Sequence, residues 1–171
     1  MTARRTPEPR PASLACPGCG LITPDGARGC RAMFDELTLR QWERPVAYRV
    51  RRMMVDSYAL QHPDESCVSA KSLAAHLTGL CAALEHAEHP RILQVLLEWL
   101  DRSPALTRPA LPAARGTVTI AEAHAAPDAP RLLAAADRWA RSTWGAFASL
   151  QPQARRWVEE ALRAPSGPRR R

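Results

Sequence analysis

Cys16-Pro17-Gly18-Cys19-Gly20 sets two thiols two residues apart on a turn that proline and glycine can make. Such a knuckle lets backbone N–H groups point at the sulfurs, and thiolates in that arrangement suit zinc. Cys30 adds a third thiol, with ten residues between it and Cys19. A tetrahedral site needs a fourth donor, and this stretch holds no fourth cysteine. His62 is the expected fourth ligand. It ends a helical segment just before Pro63, where a side chain can leave the helix face. His76, Asp25 or a water are the other candidates, and the His62 imidazole could instead meet the last carbonyls of its helix. A ligand at His62 would clamp a Gly/Pro-rich loop onto the helices, so Zn2+ is expected in a structural role. A redox Cys-x-x-Cys fits less well, because redox pairs open a helix in a βαβ context.

Asp56 and His76 form a second constellation. On antiparallel helices, His76 sits about seven residues, or roughly 10 Å, into its helix, level with Asp56 on the partner. An Asp–His hydrogen bond is half of an acid–base site. It is also an ordinary polar contact that fixes helix register, and that is the favoured reading. A metal-dependent hydrolase using His62, His76 and Asp56 is the rival; it would need an open coordination position and a water. Three clustered thiolates argue for a closed structural site instead. Tyr58 and Gln61 are read as interhelical hydrogen-bonding residues. Trp139, Trp144, Phe147 and Trp157 are read as core, and Cys67 and Cys81 as small core residues. His86 and His89 flank Pro90 in a polar turn.

Helices must position these groups. Residues 1–13 read as a disordered Arg/Pro-rich tail and 14–31 as a turn-rich cysteine loop, with a helix expected over 32–42. Pro45 can open the next helix, whose apolar stripe is Val46, Val50, Met53, Met54 and Ser57. After a short loop at 63–68, Ser69 caps a helix striped by Leu73, Leu77, Leu80, Cys81 and Leu84. The short loop makes these two an antiparallel hairpin. Pro90 opens a third helix that is apolar almost all round and therefore expected to be central. Residues 103–116 read as a proline-rich connector. Thr119 and Glu122 match a capping box, with a strand over 117–120 as the competing assignment. Asp128 and Pro130 start a long helix striped by Leu132, Ala136, Trp139, Thr143, Phe147 and Leu150. Pro152 breaks it before a final turn with Trp157, Val158 and Leu162. The expected class is all-α: a small helical bundle with an irregular, zinc-stapled N-terminal cysteine loop. One domain is expected over 14–162, with a disordered basic tail at 163–171.

The chain of 171 residues is long enough to bury a core. Its net charge of +7 sits mostly in the tails, which supply +2 over 1–15 and +4 over 163–171. Nucleic-acid binding is therefore expected, if at all, through the Arg-rich tails, and a compact basic face on the body is not. Lys71 is the one lysine among 24 basic residues, a bias that fits a GC-rich genome. No signal peptide or membrane-length apolar run is visible, and five cysteines suit a reducing cytoplasm.

The cysteine knuckle is followed by Phe34-Asp35-Glu36-Leu37, then by Val55-Asp56-Ser57-Tyr58-Ala59-Leu60-Gln61-His62-Pro63 and Ser72-Leu73-Ala74-Ala75-His76-Leu77. Trp139, Trp144 and Arg155-Arg156-Trp157 close the series. Over residues 16–162 this order of motifs resembles a family of small bacterial proteins known as domain of unknown function 5946. The resemblance implies a compact bacterial protein and no activity. The family pattern carries a pair of histidines between the last two tryptophan motifs; this chain has Leu150 and Gln151 there, so no metal or acid–base role is assigned to that segment. The expected role is a non-catalytic interaction or regulatory module acting through a protein partner.

Overall fold

The computed structural model describes residues 13–43, 46–89 and 91–164. Residues 1–12 and 165–171 of the expected tails, and the prolines expected to open two helices, Pro45 and Pro90, lie outside the described residues; Arg163, expected to begin the second tail, instead ends the last helix.

The chain enters through a two-residue hairpin. Strand β1 (Leu14–Ala15) pairs antiparallel with β2 (Ile22–Thr23), Leu14 opposite Thr23 and Ala15 opposite Ile22. Strands this short leave no periodicity in the sequence. Helix α1 runs over Ala27–Glu43, five residues earlier than the sequence suggests. Gly26 adopts φ +56°, and Thr23 Oγ1 donates to its carbonyl at 2.9 Å. That turn sends the chain directly into the helix, so Cys30 lies on the first turn of α1 and not in a loop.

Helix α2 (Tyr48–Gln61) buries Val50, Met53, Met54 and Ser57 on the expected stripe. His62 ends it, and Pro63 starts a separate single turn, α3 (Pro63–Ser66), where a loop was expected. The fixed φ of proline suits a first helical position, and Asp64 and Glu65 follow where the helix dipole favours acids. Helix α4 (Ala70–Glu85) carries the expected Ser69 cap, completed by Ser72 as a reciprocal capping box. Arg49 donates to the Ala83 carbonyl at 2.7 Å, while Asp56 meets His76 further along. Rising numbers on α2 meet falling numbers on α4, so the pair is antiparallel.

Helix α5 (Ile92–Asp101) corrects an expectation. It buries Ile92, Leu96, Trp99 and Leu100 but leaves Leu97 exposed, and it packs on one side of the bundle. Its apolar run covers one face rather than filling a centre. After an irregular connector, Thr119 caps α6 (Ile120–His124), so the competing strand does not form. Glu122 completes no box and instead holds Arg138. Asp128 caps α7 (Ala129–Ala146); the whole expected stripe is buried, although Phe147 and Leu150 fall beyond the end of the helix. A 3-10 turn (Ala148–Leu150) leads into α8 (Gln151–Arg163), a full helix with Pro152 in its first turn and not the single turn expected. Trp139 and Phe147 are fully buried with Met53, Leu73 and Leu77 at the centre of α2, α4, α7 and α8. The class is all-α, with the cysteine loop at its N-terminus. Among the described residues no helix is long and apolar enough to cross a membrane.

Candidate metal centre

Three separate elements bring four side chains to one point. The hairpin turn supplies Cys16 and Cys19, held by Cys16 N–H to the Leu21 carbonyl and Gly20 N–H to the Cys16 carbonyl, both at 2.8 Å. The first turn of α1 supplies Cys30, and the C-terminal end of α2 supplies His62. His62 Nε2 lies 3.4 Å from Cys16 Sγ and 3.5 Å from Cys30 Sγ; Cys19 Sγ lies 3.6 Å from Cys30 Sγ. All four donor atoms fall within 4.8 Å of one another, and all four residues are buried.

Local packing explains why the knuckle needs glycine. A Cβ on Gly18 would stand 2.5 Å from His62 Cδ2 and 2.8 Å from the Gln61 carbonyl. The turn thus lies directly against the end of α2. Gly20 has φ +76°, a conformation that side chains disfavour.

The imidazole is oriented from behind. Its Nδ1 donates to the Tyr58 carbonyl at 2.7 Å, one helical turn back, which leaves Nε2 for the sulfurs. A backbone acceptor on the far nitrogen is the usual partner of a metal-binding histidine. Phe34, Tyr58 and His62 stack in series, with ring centroids 3.9 and 4.0 Å apart. This stack fixes the ring plane and ties α1 to α2. Neither the carbonyl nor the stack was read from the sequence, although the i, i+4 spacing of Tyr58 and His62 was there to find.

The groups shift one another's proton affinities. The contact with Cys30 and the nearby His62 imidazole hold the Cys19 thiol well below the usual thiol range despite its burial. Cys30 keeps its proton, pushed far up by the same contact and by burial. Burial disfavours the His62 imidazolium, yet Cys19, the Tyr58 carbonyl and Cys16 outweigh it and raise it to about 9. A buried set of acidic thiol and basic imidazole is one a cation can enter by displacing protons. The arrangement is compatible with a bound metal.

Asp56 and His76 do meet, His76 Nδ1 to Asp56 Oδ1 at 2.9 Å, and Arg52 Nη2 reaches the same oxygen at 2.7 Å. Gly79 makes room for them, since a Cβ there would collide with Arg52 Nη2 and Asp56 Oδ2. They do not join His62. The metal-capable groups among the described residues contain neither Asp56 nor His76, so the ligand set of the expected hydrolase alternative is split between the end of α2 and the seam of α2 with α4. His62 faces the thiols from its C-terminal end, and Asp56 faces α4.

The other candidates are core. Gln61 is buried; its Nε2 donates to the Arg115 and Val118 carbonyls, and its Oε1 accepts from Trp139 Nε1 at 2.9 Å. Trp139, Trp144, Phe147 and Trp157 are buried, as expected of core residues. Burial raises the Cys67 thiol to about 11 and the Cys81 thiol to about 12. Cys81, Glu85 and His86 also come within ligand distance of one another. Glu85, however, is taken by Arg155 through both oxygens and by Trp144 Nε1.

A family model described as "Family of unknown function (DUF5946)" matches residues 14–148 of the chain. The match takes in the hairpin, all four converging side chains and most of the bundle, and it ends before α8. No curated protein and no solved structure matches.

Proposed function

We propose, for a chain that belongs to the DUF5946 family of unknown function, that Cys16, Cys19, Cys30 and His62 bind one structural Zn2+ and that the domain so stapled is a non-catalytic interaction module. One observation carries the reading: the donor-to-donor distances. Zn–S bonds of about 2.3 Å and Zn–N bonds of about 2.0–2.1 Å in a tetrahedron put sulfurs about 3.8 Å apart and sulfur about 3.6 Å from nitrogen. The corresponding separations are 3.6 Å, and 3.4 and 3.5 Å. A disulfide would need about 2.0 Å. The chemistry agrees: three thiolates and one imidazole suit zinc. Four protein donors, all buried, fill a tetrahedron and leave no position for water or substrate, which favours structure over catalysis.

The staple has a clear mechanical task. The hairpin buries almost no apolar side chain of its own, with Leu14 and Ile22 exposed. The metal would tie that hairpin and the start of α1 to the end of α2, replacing a core the segment cannot build. Native mass spectrometry tests this. The wild-type chain should carry one zinc; Cys16→Ala and His62→Ala should each lose it. Zinc retained by a folded His62→Ala chain would overturn the ligand set, and a wild-type chain without metal would overturn the staple.

A further inference from the structure

The body is nearly neutral as a whole, yet its charge is not evenly spread. Between residues 40 and 52 the described residues hold Arg40, Arg49, Arg51 and Arg52 against one acid, Glu43. Two of the most exposed aromatic side chains lie in this segment: Trp42 is 71% exposed and Tyr48 51%. Leu39, one turn before Trp42, is also exposed. The Arg51 guanidinium lies over the Trp42 indole, 5.2 Å from its centroid, and joins the end of α1 to the start of α2. Arg49 donates to the Ala83 carbonyl of α4 and pairs with Asp137 of α7, Arg52 is held by Asp56 on its own helix and by the Ala75 carbonyl of α4, and Arg40 donates to the His124 carbonyl. Arg51 has no carboxylate partner among the described residues.

A bare indole with an uncommitted guanidinium on it is costly to leave in water and serves no core. Exposed π faces interleaved with arginine fit one class of partner: a base stacks on the ring while its phosphates meet the cations. An acidic peptide would use the charge and leave the rings idle. Stacking on an exposed ring needs an unpaired base, which a single strand offers and a duplex does not. We propose that the adjoining ends of α1 and α2, centred on Trp42 and Arg51, bind single-stranded nucleic acid. This names the partner class of the interaction module above and rests on that reading. It moves the nucleic-acid contact from the Arg-rich tails to the folded body.

The test is fluorescence anisotropy of labelled dT20 and rU20 with the full-length protein at low and moderate salt, zinc content being checked in every sample. Binding should weaken with salt. Trp42→Ala should weaken it about ten-fold, the size of one lost stack, and Arg51→Glu at least as much. Circular dichroism should stay that of the wild type, because both side chains are exposed. A chain with Arg4, Arg5, Arg10, Arg169, Arg170 and Arg171 replaced by glutamine should keep the Trp42 dependence. Binding that ignores Trp42→Ala, binding abolished by the tail replacements alone, or equal competition by polyglutamate would each overturn the proposal. No binding by a zinc-loaded, folded chain would overturn it too, and would leave the zinc staple standing.

Discussion

Removing the metal should open one segment and spare the rest. Of the 17 residues of α1, only Cys30, Leu37 and Gln41 are buried. Burying Leu37 contributes about 1.5–3 kcal/mol. The Phe34–Tyr58 stack adds about 0.5–1.5 kcal/mol, and the links from Arg40 and Glu36 to His124 are partly exposed. A helix of this length is marginal alone. Against these few kcal/mol, a structural zinc contributes about 10–16 kcal/mol in small zinc domains. A zinc bound as proposed would thus be the largest single term holding residues 14–43. The centre formed by α2, α4, α7 and α8 keeps Trp139, Phe147, Met53 and Leu77 whether or not metal is bound. Native-state hydrogen exchange read by mass spectrometry, with and without a chelator, should show protection lost over 14–43 and kept in α4 and α7. Cys30→Ser should reproduce the chelated pattern. Protection of 14–43 that survives chelation would refute the reasoning. So would one global transition in which α7 opens together with α1.

Other consequences follow from single contacts. Gly18→Ala puts a methyl against His62 and the Gln61 carbonyl; it should cost about 1–3 kcal/mol and lower zinc affinity in a chelator competition. Gly20→Ala meets no atom within 4 Å and should cost only about 1 kcal/mol through its positive φ, with affinity nearly unchanged. Gln61→Ala orphans Trp139 Nε1 and leaves the Arg115 and Val118 carbonyls without their partner. It should cost about 2–4 kcal/mol, a fall in Tm on the order of 10 °C by calorimetry. Arg155 chiefly, with Trp144 assisting, holds the Glu85 carboxylate below its usual range against the pull of burial. A depressed carboxylate stabilises the fold above its unfolded pKa of about 4.3, and that stability fades as pH falls through the lower folded value. Urea unfolding across the acid range should therefore show a loss that Glu85→Gln lacks.

The candidate site was legible because its grammar is local. Cys-x-x-Cys on a Pro/Gly turn states its own geometry, and Pro63 marks where α2 must end and release His62. The Asp56–His76 contact followed from helix rise and a short loop. What the sequence hid depends on partners distant in the chain. Gly79 looks like a weak point in a helix until Arg52 and Asp56 are seen against it. The Leu/Val run of α5 looks central until one face is seen in water. The hairpin strands are too short to show alternation, and the early start of α1 rests on one residue, Gly26, adopting a positive φ. Charge summed over the whole body concealed the arginines gathered between residues 40 and 52.

X-ray absorption at the zinc edge of the purified, full-length protein tests the central claim most directly. The account predicts one zinc per chain, with three sulfurs at about 2.3 Å and one nitrogen at about 2.0–2.1 Å, and imidazole scattering that disappears in His62→Ala. A shell with fewer sulfurs and a bound water oxygen would mean an open site and contradict the structural assignment, and a protein that takes up no zinc would remove it altogether.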